Sequence, residues 1–194
     1  MYTVIGARNT RAFRVIWTLE ELGQPYDLID AAAGSDLAKS HNPSGKVPAL
    51  NVDGTVITDS CAIMTYLADK HGGLTYAAGT IERARQDAFL HQINDEIDAL
   101  LWTAARHSFV LPADKRVPDV KDSLKWEFAR NLDRITDQIS GPFLMGDTLT
   151  IADILLVHCG GWAISAKFPM ENPAFKEYSK SIRSRAGFVR AMGQ

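Results

Sequence analysis

The 194 residues, 46% hydrophobic and 23% charged, suffice to bury a sizeable core as one large domain or two small ones. A net charge of −2 with both signs interspersed excludes an electrostatic case for nucleic acid or an anionic membrane surface as partner. No apolar run approaches the roughly 20 residues that cross a bilayer, so no membrane partner is expected either.

Residues 1–6 lack the basic start, apolar middle and small-residue cleavage site of a secretory signal, and are expected to belong to the fold. Residues 2–5 are a short β-prone run broken by Gly6, and 11–22 repeat apolar residues at helical spacing (Phe13, Val15, Ile16, Leu19, Leu22) up to Gly23. Gln24-Pro25 turns the chain into a second short strand, 26–30, and a strand-helix-strand unit implies a parallel pair with a right-handed crossover. A loop follows. Residues 48–52 and 55–58 then flank Asp53-Gly54, a strong hairpin signal. Asp59 or Ser60 can cap the next helix, which carries Ile63, Met64, Tyr66 and Leu67 and ends near His71-Gly72-Gly73. Residues 1–75 therefore read β-α-β, loop, β-β-α.

After Gly73 the β signals stop. Residues 76–79 read as a linker and 80–194 as an all-helical domain. Within it, 80–109 is helical with few breaks, Pro112 and Pro118 punctuate a loop, and 120–139 resumes the period with Leu124, Phe128, Leu132, Ile135 and Ile139. Thr150 and Asp153 form a capping box, with Leu149 and Ile154 at the staple positions. The run 151–164 that follows is apolar on nearly every side, as for a helix in the middle of a bundle.

Cys61 and Cys159 lie far apart and match no metal or C-x-x-C spacing, so a reducing, cytoplasmic setting is expected, with no metal and with both thiols as small buried apolar groups. Arg8, Arg11 and Arg14 crowd one end of the first helix, as solvated surface charges or as a local anion site. The segment Asn42-Pro43-Ser44-Gly45-Lys46-Val47-Pro48-Ala49-Leu50 is more informative. Pro48 opens a strand, where its missing N–H is awkward in a paired interior position. A cis Val47-Pro48 bond resolves this and leaves the Val47 amide and carbonyl at the sheet edge, where an extended peptide can pair with them. A trans proline in an ordinary loop is the alternative. Asp59-Ser60 begins a helix whose unpaired amides favour a carboxylate; Ser60 can donate its hydroxyl to that anion and Asp59 can pair with an ammonium, or the two are only a cap and its neighbour.

The order β-α-β-loop-β-β-α, with N-P-S-G-K-V-P-A-L, then T-D-S-C-A-I-M-T-Y-L, then G-D-T-L-T-I-A-D, closely resembles the cytosolic glutathione transferase family, of bacterial type, over essentially the whole chain. The resemblance implies a thioredoxin-like N-terminal domain, an all-helical C-terminal domain and a homodimer with active sites near the interface. It also implies glutathione as co-substrate, held at Val47 and Pro48 through its cysteinyl part, at Asp59 and Ser60 through its γ-glutamyl head, and at Lys46 through its glycyl carboxylate. Thr150 and Asp153 match the family's capping motif, which serves folding.

The family places a Tyr, Ser or Cys after the first strand to activate the glutathione sulfur. Aligning Leu19-Glu20-Glu21-Leu22-Gly23 backwards puts Asn9 at that place, with Thr10 and Arg11 as further candidates; Asn9 can equally be the cap of the helix. No cysteine lies in the loop, which argues against a protein–glutathione mixed disulfide there. Trp102, Arg106 and Phe109 lie at spacings that share one helix face, as lining of a pocket for the electrophile or as a plain core stripe. Asp95, Glu96 and Asp98 read as a solvated or dimer-facing charge cluster. The function implied is conjugation of the glutathione thiolate to small hydrophobic electrophiles, a detoxification chemistry. Glutathione-dependent disulfide or peroxide reduction is one alternative and a noncatalytic adaptor on the same fold is another.

Overall fold

The computed structural model describes residues 1–193. They form two compact units, one made of Met1–Arg83 with the C-terminal residues from Arg183 onward, the other of Ala84–Ile182.

The first unit is built on four strands, β1 (Tyr2–Ile5), β2 (Tyr26–Ile29), β3 (Ala49–Val52) and β4 (Thr55–Thr58), in the spatial order β2-β1-β3-β4. β1 and β2 run parallel, while β3 pairs antiparallel with both β1 and β4. Helices α1 (Ala12–Glu21) and α3 (Ser60–His71) pack on this sheet. Val4, Ile5 and Leu50 from the sheet, Val15, Ile16 and Leu19 from α1, and Ile63, Met64 and Leu67 from α3 are fully buried. Each such side chain contributes about 1.5–3 kcal/mol of burial free energy, so the strand-helix periodicity and the core are one pattern.

The segment expected to be a loop between β2 and β3 contains a short helix, α2 (Asp36–His41), and that expectation is corrected. At six residues α2 is too short to show an apolar period. Its signals are chemical: Ser35 Oγ accepts the Ala38 amide at 3.1 Å, Asp36 sits in the first turn, and Lys39 and His41 sit in the last.

The last helix, α9 (Ala186–Ala191), packs on α1 within the first unit. The Phe188 ring stands edge-on to Trp17 at 4.9 Å and to Phe13 at 5.5 Å. Arg185 pairs with Glu21 and Arg190 with Glu20, both at 2.9 Å. The sequence pattern groups this helix with 80–194; the packing groups it with the sheet.

The second unit is helical throughout. It holds α4 (Ile81–Ile93) from Ala84 onward, a π-helical turn (Asn94–Asp98), α5 (Ala99–Ala105), a second π turn (Arg106–Val110) and a 3₁₀ turn (Ala113–Lys115). It continues through α6 (Val120–Thr136), α7 (Ile151–Ser165) and α8 (Pro173–Arg183). α7 is buried along most of its length, as its all-round apolar surface requires. Its start is fixed by Asp153, whose Oδ2 accepts the Thr150 amide and hydroxyl at 2.8 Å and whose Oδ1 accepts the Leu144 amide at 2.8 Å and the Tyr178 hydroxyl at 2.7 Å. The thioredoxin-like sheet unit and the all-helical unit are thus both present, and no helix among the described residues is long and apolar enough to cross a membrane.

Candidate functional site

Strand register brings the candidate residues of the first unit to one end of the sheet. Ile5 at the end of β1 lies opposite Ala49 at the start of β3, and Ala49 lies opposite Thr58 at the end of β4. The loop after Ile5, the Val47-Pro48 pair before Ala49 and the Asp59-Ser60 pair after Thr58 therefore emerge side by side.

The Val47-Pro48 peptide is cis. The Val47 amide and carbonyl make no hydrogen bond among the described residues, so this main-chain edge is available for an extended ligand. The preceding loop is held by Asn42, whose side chain donates to the Lys46 carbonyl at 2.9 Å and accepts the Ser44 amide and hydroxyl at 3.2 and 2.9 Å. The Lys46 side chain stays exposed. Gly6 closes the other side: with φ +139°, a Cβ there would stand 2.7 Å from the Ala12 Cβ and 3.0 Å from the Val47 Cβ. Only glycine lets the loop after β1 lie this close to Val47.

In that loop Thr10 is committed to the backbone. Its hydroxyl donates to the Ala7 carbonyl at 2.6 Å and accepts the Ala12 amide at 3.1 Å. Asn9 does not cap the helix: α1 starts after Arg11 with no side-chain cap, and the turn before it is held by Thr10. The Asn9 side chain is exposed and hydrogen-bonds to nothing among the described residues. Arg11 is half-buried at the start of α1, and Arg8 donates to the Ala191 carbonyl of α9 at 3.2 Å.

At the tip of α3, Asp59 takes φ 72° and accepts the Cys61 and Ala62 amides on Oδ1 at 2.9 and 3.1 Å. Its Oδ2 makes no hydrogen bond among the described residues, and Asp59 is exposed. Ser60 is buried, and its Oγ accepts from Arg14 Nη1 at 3.1 Å. Arg14 is thus not the solvated charge that its place among the arginines suggests. Arg14 is the one charge within Ala12–Leu19, a stretch that the fold buries at every position, and its spacing among the arginines gives no sign of this. Gly6, too, reads from the sequence only as a strand breaker.

Trp102, Arg106 and Phe109 belong to the second unit. Trp102 is half-buried on α5, Arg106 is exposed, and Phe109 is 70% exposed. The turn Arg106–Val110 is wound as a π-helix, so the spacing that puts residues on one α-helical face holds from 102 to 106 and not on to 109. The expected acidic cluster also divides. Asp95 is solvated, Glu96 pairs with Arg134 and accepts from Gln92, and Asp98 is buried, its Oδ2 3.7 Å from the Cys159 thiol. Among the described residues no group of three or more His, Cys, Asp and Glu is placed to hold a metal ion, and Cys61 and Cys159 are not disulfide-bonded.

Residues 10–70 match the family model described as glutathione S-transferase, N-terminal domain. The chain is 26% identical over 151 residues to glutathione S-transferase alpha I of Oryctolagus cuniculus, covering 73% of this chain and 63% of that one. It is 28% identical over 160 residues to maleylacetoacetate isomerase of Rhizobium meliloti, covering 77% and 75%, and 28% identical over 172 residues to glutathione S-transferase GstA of Escherichia coli O157:H7, covering 79% and 78%. It thus spans less than two thirds of the rabbit relative's length and about three quarters of the bacterial ones. Among solved structures, a glutathione transferase from Methylococcus capsulatus superposes with a TM-score of 0.88 at 28% identity, over 100% of this chain and 98% of that one. A glutathione transferase homologue from Sulfitobacter, solved with bound glutathione, shares the fold with a TM-score of 0.86 at 20% identity, over 100% and 97% of the two chains.

Proposed function

This chain belongs to the cytosolic glutathione transferase family, and from that premise we propose that it binds glutathione in its first unit, stabilises the thiolate and adds it to a small hydrophobic electrophile. The observation that carries the reading is the unpaired main-chain edge of Val47 beside the tip of α3. A γ-linked tripeptide has a matching sequence of groups. Its cysteinyl amide and carbonyl pair with Val47, its amino acid head takes Asp59 through the ammonium and Ser60 through the carboxylate, and its glycyl carboxylate takes Lys46.

Asn9 donates an amide N–H to the sulfur in this reading. Its freedom from internal hydrogen bonds supports the assignment, as does the commitment of the Thr10 hydroxyl to Ala7; Arg11 adds positive charge at the same helix start. A model thiol near pKa 8.5 is only a few per cent ionised at neutral pH, so lowering it by about two units makes thiolate the main form. The electrophile then needs only orientation and a dry surface beside the sulfur. A cytoplasmic homodimer is the proposed working form.

Titrating the protein with glutathione while following the near-ultraviolet thiolate band tests binding and ionisation together. A thiolate band at neutral pH is expected, and no binding at millimolar glutathione overturns the reading. Turnover of a chloronitrobenzene above that of a small disulfide is expected next; the reverse order assigns disulfide reduction, and background rates with both assign a noncatalytic adaptor. A second reading is favoured by the relatives named maleylacetoacetate isomerase. The same thiolate can add to a conjugated double bond, permit rotation and leave again. In that case glutathione is not consumed, and its stoichiometry separates isomerisation from conjugation.

A further inference from the structure

We propose that Arg14 is a positioning residue for the anion half of this site: it fixes the polarity of the Ser60 hydroxyl, so that the Ser60 proton is held for the carboxylate of an amino acid head. The proposal rests on the glutathione reading and deepens it.

Arg14 is 1% exposed, and its Nη1 lies 3.1 Å from Ser60 Oγ. A guanidinium carries donors and no acceptor, so in this contact the Ser60 oxygen accepts. The hydroxyl is left with its one proton to give, and it gives it to no group among the described residues. Ser60 is only 4% exposed, so bulk water does not freely absorb that need, and buried hydroxyl protons seldom go without an acceptor. The Ser60 amide is in the same position. As the first residue of α3 it has no helical acceptor, while Asp59 already serves the amides of Cys61 and Ala62 and the Asp59 carbonyl accepts from Ile63. One residue therefore presents an N–H and an O–H together, in front of a buried positive charge. The two oxygens of a carboxylate match that pair, and the remaining Asp59 oxygen stands beside it for an ammonium.

A side chain able to accept as well as donate would let the Ser60 proton turn inward and be spent on residue 14. Lysine cannot do this, and glutamine can. The test measures, by calorimetry on the full chain, the dissociation constants of glutathione and of 4-aminobutyryl-cysteinylglycine, which lacks only the γ-glutamyl α-carboxylate. Wild type is expected to prefer glutathione, and Arg14→Lys to keep most of that preference. Arg14→Gln and Ser60→Ala are each expected to reduce it by about tenfold, with the double variant no worse than Ser60→Ala alone. Equal losses for both peptides in Arg14→Gln, or losses that multiply in the double variant, overturn the proposal and leave Arg14 as a tie between α1 and α3. Should Arg14→Gln fail to fold, Arg14→Lys is compared in the Ser60→Ala background: its remaining effect on glutathione affinity must vanish there, and persistence overturns the proposal. Absence of glutathione binding by wild type, visible before any substitution, overturns the glutathione reading and this proposal with it.

Discussion

Asn9 and Thr10 are adjacent polar residues in the loop after β1, yet hydrogen bonding separates their roles. Thr10 closes the start of α1 through Ala7 and Ala12, so Thr10→Ala is expected to cost about 1 kcal/mol of stability, read by thermal or denaturant unfolding. Asn9 supports no element, so Asn9→Ala should leave the melting temperature unchanged and lower kcat with a chloronitrobenzene by about tenfold or more. If Asn9→Ala keeps full turnover, the thiolate is stabilised from Arg11 or elsewhere. Gly6 carries a different constraint. Gly6→Ala meets Ala12 at 2.7 Å at a φ that side chains rarely adopt, and a loss of about 1–3 kcal/mol is expected together with weaker glutathione binding, because the loop must withdraw from Val47.

At the scale of the element, α7 shows how a buried helix start is held. Asp153 ties the loop at Leu144, the cap at Thr150 and helix α8 at Tyr178 into one cluster. Tyr178→Phe removes one donor from a buried carboxylate and is expected to cost about 1–3 kcal/mol, measured by unfolding. Burial pushes the Asp153 carboxyl above its ordinary value of 3.8, against the opposing pull of hydrogen bonds from Leu144, Tyr178 and Thr150. A carboxyl raised on folding holds its proton more tightly in the native state. Its titration therefore favours the fold below the ordinary carboxylate range, and that contribution fades as pH rises through the raised value. Asp153→Asn removes this dependence, so its stability deficit should narrow between about pH 4 and about pH 7 in paired melting curves. A deficit that widens over that window contradicts an upward shift of the Asp153 carboxyl.

For the whole molecule, the decisive feature is that the sheet unit draws on both ends of the chain. Phe13 and Trp17 on α1 are buried, and their aromatic partner Phe188 comes from α9. Glu20 and Glu21 likewise take their arginine partners from residues 190 and 185. A fragment ending at residue 75 keeps every strand yet loses that cover. It is expected to be markedly less stable than the unit within the full chain, with Trp17 fluorescence shifted toward that of a solvated indole. In the full chain Phe188→Ala should cost about 3 kcal/mol by the same aromatic contacts. A fragment 1–75 with native-like Trp17 emission and full unfolding cooperativity would show that α9 is dispensable.

Local signals make much of this protein legible in its sequence. The periods of α1, α3 and α6, the Asp53-Gly54 hairpin, the Thr150–Asp153 box, the cis Val47-Pro48 bond and the Asp59 cap of α3 each depend on residues within a turn or two of one another, where steric and capping preferences act. Helix α2 is the local exception, too short for a period to emerge. What tertiary structure alone decided is long-range: that Arg14 is buried against Ser60, that Asp98 leaves the solvated cluster, and that α9 packs on α1 in the sheet unit. Burial of a charge and the choice of a hydrogen-bond partner depend on which distant element arrives to exclude water. Spacing along one segment carries no trace of that arrival.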